Sequence, residues 1–255
     1  MAGYGRGLGL VNIRYASLTD PGRRRSENQD SVLACQNGDV HLFAVADGVG
    51  GLQDGAHASR TAVTILREAF DSLPATGRMR HVAKAIEAAN TAIGESRNHG
   101  SKPVSGSTIV VMLLEPEGAS FAHVGDSRAY RVSASGVASL TEDHSLVAEQ
   151  VRAGIITREQ ARTSRNRNVV TRSLGVADDV DIDTTRVLPA LPGDAFVLCS
   201  DGLTDVVTDD EIGQIVRSHA VEEEAVAALV QLANDRGGPD NISVVLARVG
   251  IDDDA

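Results

Sequence analysis

The stretch FAVADGVGG, residues 43–51, passes from an apolar run straight into Asp-Gly and then into further glycine. Its first half has the character of a buried strand, and Asp-Gly by itself is a favoured hairpin dipeptide. The device returns in FVLCSDG, residues 196–202, where a second apolar run delivers Asp201 into Gly202. Two core strands that each end in a carboxylate and a glycine turn the fold into a question of where their ends meet.

Around these two points the hydrophobic pattern predicts the other elements. VHLFAVA (40–46) reads as a buried strand and VNIRYASL (11–18) alternates like a half-buried one. Apolar positions 58, 62, 65, 66, 69, 70 and 73 form one helix face that stops before Pro74, and Val82, Ile86, Ala89 and Ile93 repeat that spacing. The period then changes to short strands at 107–114, 119–124, 127–133 and 136–140, which suggests an antiparallel meander. Residues 145–175 carry short helical pieces, two glycines and six arginines. A strand at 196–200, helices near 209–218 and 222–234, a buried strand at 242–249 and the acidic tail IDDDA follow. Residues 1–10 are glycine-rich and expected to be flexible, and with no internal repeat or linker residues 11–250 are expected to form a single domain. Antiparallel strands interleaved with paired helices predict a layered α+β fold.

Of the 255 residues 42% are hydrophobic, enough for a large core, but only 3% are aromatic, so Val, Leu, Ile and Ala must fill it. The formal net charge of −11 argues against nucleic acid or an anionic membrane as the main partner. Cys35 and Cys199 lack a metal-type spacing, which predicts free thiols in a reduced, cytoplasmic setting. No apolar run approaches the ~20 residues of a membrane span, and the N-terminus lacks a signal-peptide core.

Asp47 and Asp201 have companions. Asp126 follows FAHVG, Asp240 sits in GGPDN just before the last strand, and Asp30 lies in SENQDS. Singly each is a turn or surface acid. If their strand ends share one side of a sheet they repel one another unless a cation is present. Hard oxygen donors without clustered Cys or His suit Mg²⁺ or Mn²⁺ rather than zinc, and Gly48 would let a backbone carbonyl approach the ion. Two such ions at ~3.5–4 Å serve phosphoryl chemistry, for which PGRRRSENQD offers arginines to take a phosphate.

In this order and spacing, TDPGRRRSENQDS, FAVADGVGG, SGSTIVV, FAHVGDSRAYR, LTEDHSLV, NVVTRSLG, FVLCSDGLTDVV and GGPDNISVVLARV resemble the metal-dependent protein serine/threonine phosphatases of type 2C, in their bacterial form. The resemblance implies a four-layer α-β-β-α sandwich, two stacked antiparallel sheets flanked by helix pairs, with a metal centre at one edge. It implies two core Mg²⁺ or Mn²⁺ ions and a weaker third. Asp47 resembles the acid that bridges the core pair, Gly48 offers its carbonyl, and Asp201 and Asp240 look like ligands of one ion. Asp30 falls where an acid stands beside the metal-bound waters, Asp126 matches the acid of the third ion, and Arg25 matches the phosphate-binding arginine. The implied reaction is hydrolysis of phosphoserine and phosphothreonine by direct attack of a hydroxide bridging the ions, with no covalent phosphoenzyme. The implied partners are phosphorylated protein substrates and a partner Ser/Thr kinase or its targets, with the chain a monomer.

Three departures stand out. Gln29 replaces the usual Glu before the motif's Asp, Val49 stands where animal members carry a proposed proton-donating His, and GVGGLQDG replaces GMGGH. Gln29 is the one change that favours a rival reading, a pseudophosphatase that binds phosphoproteins. A calcium-binding protein is weaker still, since no EF-hand spacing occurs. His57, His123 and His144 are expected to be packed or surface residues, because hard cations do not call for imidazole. The arginines of 145–175 are either a solvated face or, at the place of the family's flap, part of substrate recognition.

Overall fold

The computed structural model describes residues 12–50, 54–97 and 105–250. The glycine-rich segment 1–10, the 51–53 part of the GVGGLQDG departure and the IDDDA tail lie outside them. The chain begins with β1 (Ile13–Asp20), β2 (Ser31–Asn37), β3 (Val40–Ala46) and β4 (Gly48–Val49), then α1 (Asp54–Asp71) and α2 (Arg78–Arg97). Next come β5 (Gly106–Ser107), β6 (Ile109–Glu115), β7 (Gly118–Val124), β8 (Arg128–Ser133) and β9 (Gly136–Ser139), followed by α3 (Leu146–Arg152) and α4 (Arg158–Thr163). The last elements are β10 (Asp183–Thr184), β11 (Ala195–Cys199), α5 (Asp201–Thr204), α6 (Asp209–Ser218), α7 (Glu222–Asp235) and β12 (Ile242–Val249).

Two five-stranded sheets run β1-β12-β11-β8-β9 and β10-β7-β6-β3-β2, with every pairing antiparallel. They stack face to face. Phe43, Val45, Met112 and Phe121 of one sheet pack against Phe196, Leu198, Val245 and Ala247 of the other. The alternate residues of β3, Leu42, Ala44 and Ala46, face outward into α1 and α2, meeting Ala62, Leu66, Phe70 and Ile86. A strand covered on both faces has no polar side to show, which is why residues 40–46 read as an unbroken apolar run. On the opposite face Ile212 and Val216 of α6 and Val226 and Leu229 of α7 cover Val197, Val244 and Leu246. The result is the α-β-β-α sandwich expected of the sequence. No helix among the described residues is long and apolar enough to cross a membrane.

Two local readings change. Residues 107–140 are not one meander: β6 and β7 belong to one sheet, β8 and β9 to the other. The chain crosses between the sheets at Gly125, whose φ of +106° makes a turn that an alternating pattern cannot announce. β2 is a strand that the pattern of 31–37 hides, because SVLACQN is an edge strand with only Leu33 and Cys35 fully buried.

Candidate metal centre

β3, β7 and β11 all end, and β2 and β12 both begin, at one edge of the sandwich, and this brings the five aspartates together. Asp30 stands directly before β2 and Asp47 directly after β3, across the first antiparallel pair. Asp126 follows β7, Asp201 opens α5 immediately after β11, and Asp240 precedes β12. The two sheets are tied at this edge by Ser200, whose Oγ donates to Asp30 Oδ2 at 2.8 Å while accepting from Ser243 N at 3.0 Å.

Backbone crowding explains why glycine follows both acids. A Cβ on Gly48 would lie 2.3 Å from Gly55 O and 2.7 Å from Gln29 O, and one on Gly202 would lie 2.0 Å from Asn241 O. Each Asp-Gly pair therefore lets one main chain pass against another beside a carboxylate. The two are not equivalent turns: Gly48 enters the short β4, whereas Asp201 and Gly202 form the first turn of α5.

The electrostatics are those of crowded acids. Burial, followed by the charges of Asp30, Asp201, Asp126 and Asp240, pushes Asp47 well above the usual carboxylate range. Asp201 is pushed the same way by burial and then by Asp126, Asp205, Asp240 and Asp30. Burial raises Asp30 to about 6 against hydrogen bonds from Ser243 and Ser200, and it raises Asp126 to about 7 with Asp143 adding to the effect. Asp30 Oδ1 and Asp201 Oδ1 are buried without a hydrogen-bond partner. Buried anionic oxygens left unsatisfied are costly unless a proton or a cation takes them up. An all-oxygen donor set with two orphaned carboxylate oxygens fits a hard divalent cation.

Arg25 lies at the rim. Its Nη2 meets Asp240 Oδ2 at 2.6 Å, and the negative charges of Asp240, Asp47 and Asp201 all favour its charged form. Its side chain is 52% exposed, so the guanidinium faces both the acids and solvent. Gln29 sits beneath: its N–H donates to Asn241 Oδ1 at 2.9 Å, and its carbonyl accepts from Gly48 N at 3.2 Å and Ser59 Oγ at 2.5 Å.

Four residues that the motifs contain were not singled out from the sequence. Besides Ser200, Asn241 holds the arginine-bearing loop by donating to Pro21 O and Glu27 O, both at 3.0 Å. Thr108 accepts from Asp47 N at 3.2 Å and returns a bond from its own N–H to Asp47 O at 2.8 Å. Asp205 closes α5 four residues after Asp201, adds to the charge that raises Asp126 and Asp201, and meets Arg167 Nε at 3.7 Å. Ser200 and Asn241 stand directly beside a motif acid, Asp205 lies four residues after one, and Thr108 has no acid near it in the sequence.

Among the described residues, three metal-type donors come within 4.8 Å of one another only at His123, His144 and Asp183. This group is a stacked pair of imidazoles beside the Arg172–Asp183 ion pair. The two imidazoles stack at 4.6 Å with planes 19° apart, so their in-plane lone pairs do not converge. Arg172 Nη1 already fills the opening, 3.1 Å from Asp183 Oδ1 and 3.3 Å from His144 Nε2. His57 is exposed on α1. Of the six arginines of 145–175, Arg152 pairs with Glu142, Arg167 with Asp205 and Arg172 with Asp183, while Arg158, Arg162 and Arg165 are exposed. A pocket of about 400 Å³ beside Gly77, Glu115 and Ser120 opens at the other end of the sheet, away from the acids.

Comparison with known proteins gives the family. The family model "Protein phosphatase 2C" matches residues 22–242. The serine/threonine phosphatase stp of Listeria monocytogenes is 36% identical over 234 residues, covering 89% of this chain and 92% of the relative. The crystal structure of the Mycobacterium tuberculosis serine/threonine phosphatase PstP/Ppp superposes with a TM-score of 0.86 at 32% identity, covering 94% of this chain and 99% of that one. The catalytic domain of PstP in complex with two manganese ions gives a TM-score of 0.83 at 31% identity, covering 94% and 99%. By the order of its elements, the acids at its sheet edge and these relatives, the chain belongs to the protein phosphatase 2C family.

Proposed function

We propose that this chain is a Mg²⁺- or Mn²⁺-dependent phosphatase that hydrolyses phosphoserine and phosphothreonine in proteins. The observation that carries the reading is the gathering of five aspartates at one sheet edge, with Asp30 Oδ1 and Asp201 Oδ1 buried and unpartnered. Asp47, the Gly48 carbonyl, Asp201 and Asp240 would hold two core ions, and Asp126 would serve a weaker third. Bound there, the ions would supply a Lewis acid for the phosphoryl oxygens and a water activated at neutral pH. The homologous manganese complex supports that choice of ion.

The chain's own groups define the remaining parts. Arg25 offers a half-exposed guanidinium that can leave Asp240 for a phosphate and take it through two parallel N–H donors. Asp30 has its Oδ2 fixed by Ser200, which leaves Oδ1 to accept a hydrogen bond from water. Attack would be direct, with no covalent phosphoenzyme: burial pushes the Cys199 thiol up to about 12 and the Cys35 thiol to about 11, so neither offers a thiolate nucleophile. Val49 cannot donate a proton, so the leaving alkoxide would take one from water or from another group of the site. The substrates are phosphorylated proteins produced by a serine/threonine kinase.

The test is phosphate release from a phosphothreonine peptide with Mn²⁺. Release that disappears with chelator, and in an Asp201→Asn variant whose circular dichroism is unchanged, is the expected result. Peptide binding by the wild type with no release at any Mn²⁺ concentration would replace this reading with that of a pseudophosphatase, for which Gln29 is the favouring residue.

A further inference from the structure

The four residues of the Asp126 turn, Gly125 to Arg128, are gripped from both sides by two neighbours in the sequence, Asp143 and His144. Asp143 takes the Arg128 guanidinium through two bonds, from Nε at 2.8 Å and Nη2 at 2.7 Å. His144, which is 2% exposed, takes Gly125 at both polar groups. Its own N–H donates to Gly125 O at 3.0 Å, and its ring Nδ1 accepts the Gly125 N–H at 3.1 Å. Ser127 Oγ meets Thr108 Oγ1 at 2.7 Å, and Thr108 is the residue that brackets Asp47.

The far side of His144 reaches the 145–175 segment. Its carbonyl accepts from Thr171 N at 2.8 Å, Ser145 bridges Val170, and Leu146 N donates to Val169 O at 2.9 Å. Because Nδ1 accepts, the neutral ring carries its proton on Nε2. That nitrogen faces Asp183 Oδ2 at 3.3 Å, and Arg172 binds the other oxygen of Asp183. One imidazole thus has a separate task for each nitrogen: Nδ1 accepts from the turn, and Nε2–H faces Asp183 of β10, whose other oxygen takes Arg172.

We infer that His144 is a positioning residue: through Gly125 it sets the direction in which Asp126 presents its carboxylate, and through Asp183 and Thr171 it ties that direction to the base of the 145–175 segment. The inference rests on the proposed role of Asp126 as ligand of the weaker third ion. It gives Asp126 an anchor that Asp47 and Asp201 do not share, since Asp47 is held by Thr108, whose Oγ1 accepts its N–H, and Asp201 follows Ser200 into α5.

Two side chains dissect the ring. His144→Asn places an amide oxygen near the position of Nδ1 and keeps an acceptor for Gly125, whereas His144→Gln reaches toward Nε2 and gives that acceptor up. The first readout is nuclear magnetic resonance of metal-free protein. A ¹⁵N–¹⁵N coupling across the hydrogen bond from Gly125 N–H to His144 Nδ1, with the shift of an unprotonated Nδ1, is expected. The second is calorimetric Mn²⁺ titration. His144→Gln should weaken the weakest ion about tenfold and leave the two tighter ones unchanged, with His144→Asn restoring most of the loss. A protonated Nδ1, Asn and Gln variants that behave alike, or equal weakening of all ions would each overturn the inference. A wild type that binds no third ion would instead overturn the role of Asp126, and the coupling would still judge the clamp. If His144→Gln does not fold, the wild-type coupling and the Asn variant decide.

Discussion

Arg25 and Asp240 share a short ion pair at the rim of the acids, and this sets the sign of what each does for the other. Removing the guanidinium would take away a two-point contact with phosphate, a charge-assisted interaction worth roughly 1.5–3 kcal/mol, or about ten- to a hundredfold. Arg25→Ala is therefore expected to raise KM by that factor. It should not raise the Mn²⁺ concentration needed for half-maximal activity, because a positive charge beside the ions has gone. A rise in both quantities would mean that Arg25 acts by holding Asp240 in place. Gln29 poses the complementary case. Its backbone is fixed by Asn241, Gly48 and Ser59, and its Oε1 lies 2.9 Å from where a Cβ on Gly55 would be, beside the Gly48 carbonyl. A carboxylate there would add one negative charge a few ångströms from the ions, worth about 1–2 kcal/mol after screening. Gln29→Glu should thus lower the half-saturating Mn²⁺ concentration about tenfold with little change in saturated turnover. Metal titrations that superimpose would show that this side chain does not act on the ions.

At the scale of elements, the sequence reading succeeded where one residue pattern had one structural outcome. Residues 40–46 and 242–249 lie buried on both faces and were legible as apolar runs with their observed ends. It was weaker where the cause lies elsewhere in the chain. β2 shows little periodicity because it is an edge strand, and the switch of sheets at Gly125 depends on a turn held by His144, nineteen residues later. The acids could be found as a set because each sits at a strand end. Ser200, Asn241 and Thr108 could not, because a hydrogen bond across the chain leaves no local pattern. The Asp-Gly pairs show the same limit: the dipeptide is repeated, the elements that follow are a strand and a helix, and what is common is the close backbone approach. Gly202→Ala tests this. Its Cβ would meet Asn241 O, backbone at the start of β12, so the strand end carrying Asp240 must move. Overpacking of this kind costs about 1–3 kcal/mol. We expect a melting temperature lower by several degrees together with weakened Mn²⁺ binding. A variant as stable as the wild type would show that α5 can shift without disturbing Asp240.

For the whole molecule the gathered acids make stability depend on pH in a direction opposite to that of ordinary salt-bridged carboxylates. Asp126 is raised to about 7 by burial and by Asp143, and Asp47 and Asp201 are raised well above the usual range by burial and by the neighbouring aspartates. The folded, metal-free protein therefore retains protons that the unfolded chain has released, so its stability declines as pH climbs from the unfolded carboxylate value through the folded ones. Burial lowers His41 and His144, whose contribution grows as pH rises and is complete above about pH 6.5. The Glu211 carboxyl, held at about 2 by Arg236, stays ionised throughout the neutral range. Between about pH 6.5 and about pH 8 the slope accordingly belongs to the acids. Thermal unfolding in chelator should show a melting temperature that falls across this interval. Saturating Mg²⁺ or Mn²⁺ should flatten or reverse the fall, since a bound cation favours the ionised carboxylates, and metal binding should release protons measurable by calorimetry in buffers of different ionisation enthalpy. A melting temperature in chelator that is flat or rising over the same interval would mean that the acids at the sheet edge are already ionised without metal, and that their repulsion is relieved by solvent rather than by a cation.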